Sequence, residues 1–326
     1  MRSSIELSVK SLYVSNPLPD QRKSLTEHPL KLASANYLTT AQAKILVQTI
    51  NQHLVQIDLY NYQVEPDLII EFEITTHSFL MIVMLHGNSE LYNHTGEIIS
   101  TVSGNSCLLS AIKKGNYKAK LKTSHHQVLV LTINPEWLVK KYGTQTGFHD
   151  LMSSFHDKEN QYFAMPGFSI AHQLFNELGK LNRIAADKDA ENEIYVFLNA
   201  CLNRYMAKLY QSMNRLQFQD NKAEEIGKFI GLHYGSPIVD NETLLAQHFN
   251  VSQITLTRLA KRYFGRPLHK QVIELRIHHG LRLLLSTNYS VQQIAKQVGY
   301  DDPKYFSRAF KKHFGITPSM ARLTVF

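Results

Sequence analysis

Two cysteines in 326 residues, Cys107 and Cys201, are too few for a disulfide framework, and their scarcity suggests a reducing compartment. Long apolar runs are missing too. The longest, FLMIVML from Phe79 to Leu85, falls far short of the ~18 residues that suggest a membrane span. The opening stretch MRSSIELSVKSLYVSN has no apolar segment of signal-peptide type. The expectation is a soluble, cytoplasmic protein with no membrane partner. No His-x-His pair occurs, although His77, His86, His94, His125 and His126 are spread through the front half. Net charge is absent from the first two thirds as well. Of 35 basic and 27 acidic side chains, 20 of each lie in residues 1–221, so the whole excess of +8 falls on residues 222–326. A neutral front joined to a basic rear implies two functions, with a polyanion as partner for the rear.

What is present divides by period. From about Leu68 to Pro135, short apolar segments alternate with turn clusters at HGNS, NHTG, SGNS, KKGN and TSHH, spaced about ten residues apart. LIIEFEI sets Ile70, Phe72 and Ile74 against Glu71, Glu73 and Thr75, a period of two. The spacing predicts an antiparallel sandwich or barrel. Residues 37–62 fit either a helix or further strands. Lys113, Lys114, Lys118, Lys120 and Lys122 fit a solvated strand face or contact with an anionic ligand, and Trp137 and Tyr142 are expected to seal the barrel. From Ser169 the period becomes helical. Ile170, Leu174, Leu178 and Leu181 mark one helix, and Ile194, Phe197, Leu198, Cys201, Leu202, Tyr205 and Leu209 a second, from about Asn192 to Arg215. This predicts a helical hairpin, a candidate dimerisation element, and then a linker near LQFQDNKAEE.

The rear repeats itself. Arg258, Phe264 and Gly265 recur fifty residues on as Arg308, Phe314 and Gly315, each time behind a short apolar helix. In the first copy Leu244, Leu245 and Phe249 form the supporting helix, Asn250-Val251 the turn, and Ser252 the N-cap. Leu256, Leu259 and Tyr263 are expected to point inward, with Ile254, Thr257, Arg258 and Lys261 on the opposite face. In the second copy Ser290 caps a helix buried through Val291, Ile294, Ala295 and Val298. Gly299 turns the chain, Asp301 or Asp302 caps, and Pro303 fits the first helical turn. Phe306, Ala309 and Phe310 go inward, leaving Lys304, Tyr305, Ser307, Arg308 and Lys311 outside. These are two helix-turn-helix motifs with recognition helices. Arginine suits guanine because its planar fork meets O6 and N7 together. Lys261, Arg262, Lys311 and Lys312 lie further along and suit phosphates. The connector from Pro267 to Ser286 predicts one helix about 30 Å long. That length matches consecutive major-groove openings on one face of B-DNA, ~34 Å apart, and favours duplex DNA over RNA.

With those residues in place, residues 222–326 resemble the AraC/XylS family of bacterial transcription regulators. The most specific part is IAKQVGYDDPKYFSRAFKKHFGITP. The resemblance implies base-reading roles for Ile254, Thr257 and Arg258, and for Lys304, Tyr305, Ser307 and Arg308. It implies a cupin-like β-barrel over residues 1–165 that binds a small effector, a dimerising helical hairpin over 166–216, and a double helix-turn-helix domain over 217–326. The implied fold class is α+β, and the implied function is regulation of transcription, as an activator, with promoter DNA, a homodimer partner and RNA polymerase as partners and no cofactor. Ala260 stands where the family has a core Phe, and Gly280 where it has Ala.

The alternative reading of the front is a metal-dependent cupin enzyme fused to the DNA-binding part. The lack of a His-x-His pair speaks against it, and adjacent strand residues such as His125 and His126 point to opposite faces. Alkyl transfer would need an activated cysteine, and both cysteines sit among apolar residues.

Overall fold

The computed structural model describes residues 5–8, 13–16, 25–26, 29–157, 159–181 and 190–323. Two compact units result, Met1–Gln211 and Ser212–Phe326.

The N-terminal unit is built on strands β1 (Ile5–Ser8), β2 (Tyr13–Ser15), β3 (Ser34–Thr39), β4 (Ala43–Asn51), β5 (Val55–Val64), β6 (Leu68–Ile74), β7 (Ser78–His86), β8 (Ser89–Tyr92), β9 (Ile98–Val102), β10 (Ser106–Ile112), β11 (Gly115–Leu121), β12 (Ser124–Ile133) and β13 (Tyr162–Ala164). The predicted antiparallel strands are there, and residues 37–62, open between helix and strand, contribute three of them. Their pattern was ambiguous for a physical reason. β5 lies between β4 and β12 and is covered on both faces, so eight consecutive residues from Val55 to Tyr62 are buried and no alternation survives.

The sheets correct the barrel expectation. One has eight strands in the order β13-β10-β7-β12-β5-β4-β3-β2, the other five in the order β1-β6-β11-β8-β9, and both end on edge strands. They form an open two-layer sandwich. Period-two alternation sends Tyr60, Tyr62, Leu80, Ile82, Val128 and Val130 of the larger sheet against Ile70, Ile74, Tyr117 and Leu121 of the smaller one. The opposite face of the larger sheet, with Phe79, Met81, Leu129 and Leu131, is covered by helices. These are α1 (Pro135–Tyr142), α2 (His149–His156), α3 (Ala171–Leu181) and the first half of α4 (Ala190–His233). Trp137 and Tyr142 therefore belong to a helix on this outer face, where Tyr142 stacks on Phe148 at 5.5 Å, and not to the inter-sheet core. Ile170 and Leu174 are buried as expected, while the side chains of Leu178 and Leu181 lie outside those described.

The segment LQFQDNKAEE, expected as a linker, is helical and follows closely on the division between the units at Gln211. α4 continues through it to His233, because it contains no proline or glycine and because Ala223, Ile226 and Ile230 repeat at helical spacing into the C-terminal core. That unit adds α5 (Glu242–His248), α6 (Gln253–Phe264), α7 (Leu268–Ser286), α8 (Val291–Gln297), α9 (Pro303–Phe314) and α10 (Pro318–Leu323). Leu268 and Val272 of α7 join a core with α5 and α6, while Ile277 and Leu284 join a second core with α8 and α9. One helix thus carries both motifs.

Candidate nucleic-acid interface

Each motif is fixed by local backbone chemistry. Asn241 caps α5, its Oδ1 accepting from the amides of Thr243 and Leu244 at 3.1 and 3.0 Å. Asn250 takes a left-handed turn at φ 53°, and Ser252 Oγ accepts from the Thr255 amide at 3.2 Å to start α6. In the second motif Ser290 and Gln293 form a reciprocal capping box on α8. Gly299 makes the turn at φ 93°, a conformation that disfavours any side chain, and Asp302 accepts from the Lys304 amide at 2.8 Å to start α9. Both recognition helices end on left-handed glycines, Gly265 and Gly315.

The inward faces differ in detail from the expected sets. Leu245 and Ala246 are buried in α5 and Phe249 just after it, whereas Leu244 is half exposed. In α6 the buried residues are Leu256, Leu259 and Ala260, and Tyr263 lies near the surface against Gly227 of α4. Ala260 fits because this core is filled from α4 by Ile226 and Ile230. In α9 Phe306 and Phe310 are fully buried and Ala309 partly so.

The outward faces hold the predicted residues. Ile254, Thr257, Arg258, Lys261 and Arg262 are exposed on α6, and Lys304, Tyr305, Arg308, Lys311 and Lys312 on α9, with Ser307 half-buried. Ile254 is 83 % and Tyr305 63 % exposed, so both side chains stand in solvent on the outward faces of α6 and α9. The Arg308 guanidinium lies 5.8 Å from the Tyr305 ring centre. Thr257 Oγ1 donates to the Gln253 carbonyl at 3.0 Å, which leaves its oxygen free to accept. Among the described residues, Arg258, Lys261, Lys304, Lys311 and Lys312 have no carboxylate partner. Arg262 differs: Nε and Nη2 both donate to Asp220 Oδ1 at 2.6 Å, so this cation is held by α4.

Residue-type reasoning missed Arg276, although its signal was present. Leu268, Val272, Arg276, Gly280 and Leu284 form a strict i+4 stripe on α7, all buried, with one charge and one glycine among aliphatics. Arg276 Nε donates to the Tyr234 carbonyl at 2.7 Å and Nη2 to Asp240 Oδ2 at 2.9 Å, and the guanidinium lies 5.7 Å from the Tyr300 ring centre. Burial raises the Tyr300 phenol above the ordinary tyrosine value, with Arg276 acting against it. Burial, then Arg282, lowers the His279 imidazole, which favours the neutral ring whose Nδ1 meets the Tyr234 hydroxyl at 2.8 Å.

A helix-turn-helix domain model matches residues 245–323, both motifs and the shared helix. The C-terminal unit contains an AraC-type helix-turn-helix domain. The AraC-type segment is 30 % identical over 105 residues to the HTH-type transcriptional regulator ArgR of Pseudomonas aeruginosa, covering 32 % of this chain and 31 % of that protein. It is 38 % identical over 76 residues to the transcriptional activator AggR of Escherichia coli, covering 23 % of this chain and 28 % of AggR. The chain therefore spans under a third of these relatives' lengths. Among solved structures, the C-terminal domain of the response regulator AraT from Geobacillus stearothermophilus is 33 % identical, with a TM-score of 0.30 over 32 % of this chain and 84 % of that one.

The front-half candidates are not drawn together. Among the described residues no three His, Cys, Asp or Glu side chains are grouped to hold a metal. His77 Nδ1 accepts from the Lys114 amide, His126 Nε2 bonds the Lys122 carbonyl at 2.8 Å, and the His86 and His125 rings are 6.1 Å apart. Cys107 and Cys201 are fully buried. Burial raises both thiols well above the ordinary cysteine range, and neither offers an accessible thiolate. No helix among the described residues is long and apolar enough to cross a membrane.

Proposed function

We propose that this chain is a sequence-specific, double-stranded-DNA-binding transcription regulator that reads one duplex with both recognition helices. The observation that carries the reading is the pairing of two exposed, cationic helix faces on one shared helix. α7 has 19 residues, about 28 Å, close to the ~34 Å between successive major-groove openings. Ile254, Thr257 and Arg258 read bases from α6, and Lys304, Tyr305, Ser307 and Arg308 from α9. Lys261, Lys311 and Lys312 hold phosphates, which set affinity and salt dependence, and Arg262 adds to them only as far as it leaves Asp220. Activation is the favoured sense, because a relative of the same segment is named a transcriptional activator. RNA polymerase is then a partner at the promoter.

In this reading the N-terminal unit is a cupin-like effector domain. A gap of about 90 Å³ remains between its sheets, lined by apolar side chains with Tyr60, Tyr62 and Tyr162 among them, and a small effector would enter there. Exposed Tyr195 and Val196 on α4 supply an apolar face for a homodimer.

The test is selection of bound duplexes from a random pool by the full chain, followed by titration in rising salt. The expected result is a two-part motif with half-sites about one helical turn apart and a steep loss of affinity with salt. A pool without enriched sequence, or salt-insensitive binding, overturns the reading.

A further inference from the structure

We infer that Arg276 is the positioning residue that sets the spacing and rotational phase at which the two motifs engage one duplex. The inference rests on the two-part DNA reading above. α7 divides along its length: Leu268 and Val272 belong to the first motif's core, Ile277 and Leu284 to the second's. Arg276 lies between the two sets and bonds outward to both sides. Toward the first motif, Nε and Nη2 hold the Tyr234 carbonyl at the end of α4 and Asp240 just before α5. Toward the second, the guanidinium lies against Tyr300 and beside Gly299, the turn that aims α9.

The two motifs also meet directly there. A Cβ built on Gly299 would stand 2.7 Å from the Gly235 carbonyl oxygen and 3.1 Å from the Arg276 guanidinium carbon. The backbones are therefore as close as glycine allows, and Arg276 fills the joint beside them. Its side chain is 7 % exposed while that of Asp240 is 54 % exposed, so the charge is buried but its partner is not. A planar fork bonded to two fixed acceptors resists rotation, whereas lysine at the same place is a swivelling point charge. Without the fork, the relative rotation of α6 and α9 would rest on the bending of one helix, the glycine contact and the single Tyr234–His279 hydrogen bond.

The experiment uses the full chain with R276K and D240N. The probe is the selected two-part duplex, with about one to five base pairs inserted or removed between its half-sites, plus a duplex carrying one half-site. The parent should lose about tenfold or more in affinity at the wrong spacing. Both variants should keep single half-site affinity within about twofold of the parent while their penalty for wrong spacing falls to about threefold or less. Circular dichroism melts confirm folding, and if R276K does not fold, D240N at half-exposed Asp240 decides. A folded variant whose spacing profile is as steep as the parent's overturns the inference. So does a parent that binds one half-site as tightly as two, a result that needs no substitution and removes the two-part reading itself.

Discussion

Gly280 of α7 lies directly against the ring of Phe306 in α9. A Cβ at Gly280 would stand 2.6 Å from Cε2 and 2.7 Å from Cζ of that ring. Phe306 is fully buried, so the ring has nowhere to retreat. A glycine inside a helix costs about 1 kcal/mol relative to alanine. Here it allows the second recognition helix to approach the shared helix at backbone distance.

Gly280→Ala should therefore destabilise the protein even though alanine is the better helix former. Overpacking should cost about 1–3 kcal/mol and exceed the propensity gain. Thermal denaturation should show a lower Tm, and Phe306→Leu in the same chain should recover part of the loss by shrinking the obstructing side chain.

Arg258→Ala and Arg308→Ala should each lose about 1–3 kcal/mol on the selected duplex and relax preference at one base pair. A binding panel with every substitution at each position checks this. Unchanged sequence preference in both variants would remove these arginines from the base-reading set.

Lys261→Ala, Lys311→Ala and Lys312→Ala should instead weaken binding about evenly across sequences, each lowering the salt slope by about 1. Asp220→Asn should act in the opposite direction. It releases Arg262 from its 2.6 Å ion pair, and a freed guanidinium should steepen the salt dependence. Titrations at several salt concentrations measure both effects.

Glu177 should give the N-terminal unit an acid-sensitive limb. Its side chain is 4 % exposed. Burial acts to raise the carboxyl, but hydrogen bonds from Arg204 at 2.7 Å and Lys180 at 3.0 Å outweigh it and the net displacement is downward. A carboxyl depressed in the folded state adds stability that is present above the ordinary glutamate range and lost as pH falls through the folded value. Denaturant melts should show stability falling with acidification, and Glu177→Gln should flatten that fall while lowering stability at neutral pH.

Much of the candidate interface was legible because it is local. Caps at Ser252, Ser290 and Asp302, left-handed glycines at 265 and 315, and the fifty-residue echo depend on neighbours within one or two turns. Misassigned faces had distant causes. Tyr263 looked like a core position by period, but Gly227 on α4 gives it a surface seat, and Ile226 and Ile230 from the same helix fill the space beside Ala260. α4 itself was cut short at LQFQDNKAEE because the polar, exposed residues there interrupt its apolar stripe, which resumes at helical spacing with Ala223, Ile226 and Ile230.

Amino-acid order alone determined the neutral front, the basic rear, the period-two and period-3.6 halves, and two capped helix pairs carrying Arg258 and Arg308. Those features follow from short-range backbone preferences and from the count of charges, which need no fold to be read. Tertiary structure alone decided that the front is an open sandwich and that Asp220 holds Arg262. It also decided that Arg276 joins Tyr234, Asp240 and the Gly299–Tyr300 turn. Each of these depends on groups far apart in sequence whose meeting is set by close packing, and no local pattern encodes that meeting.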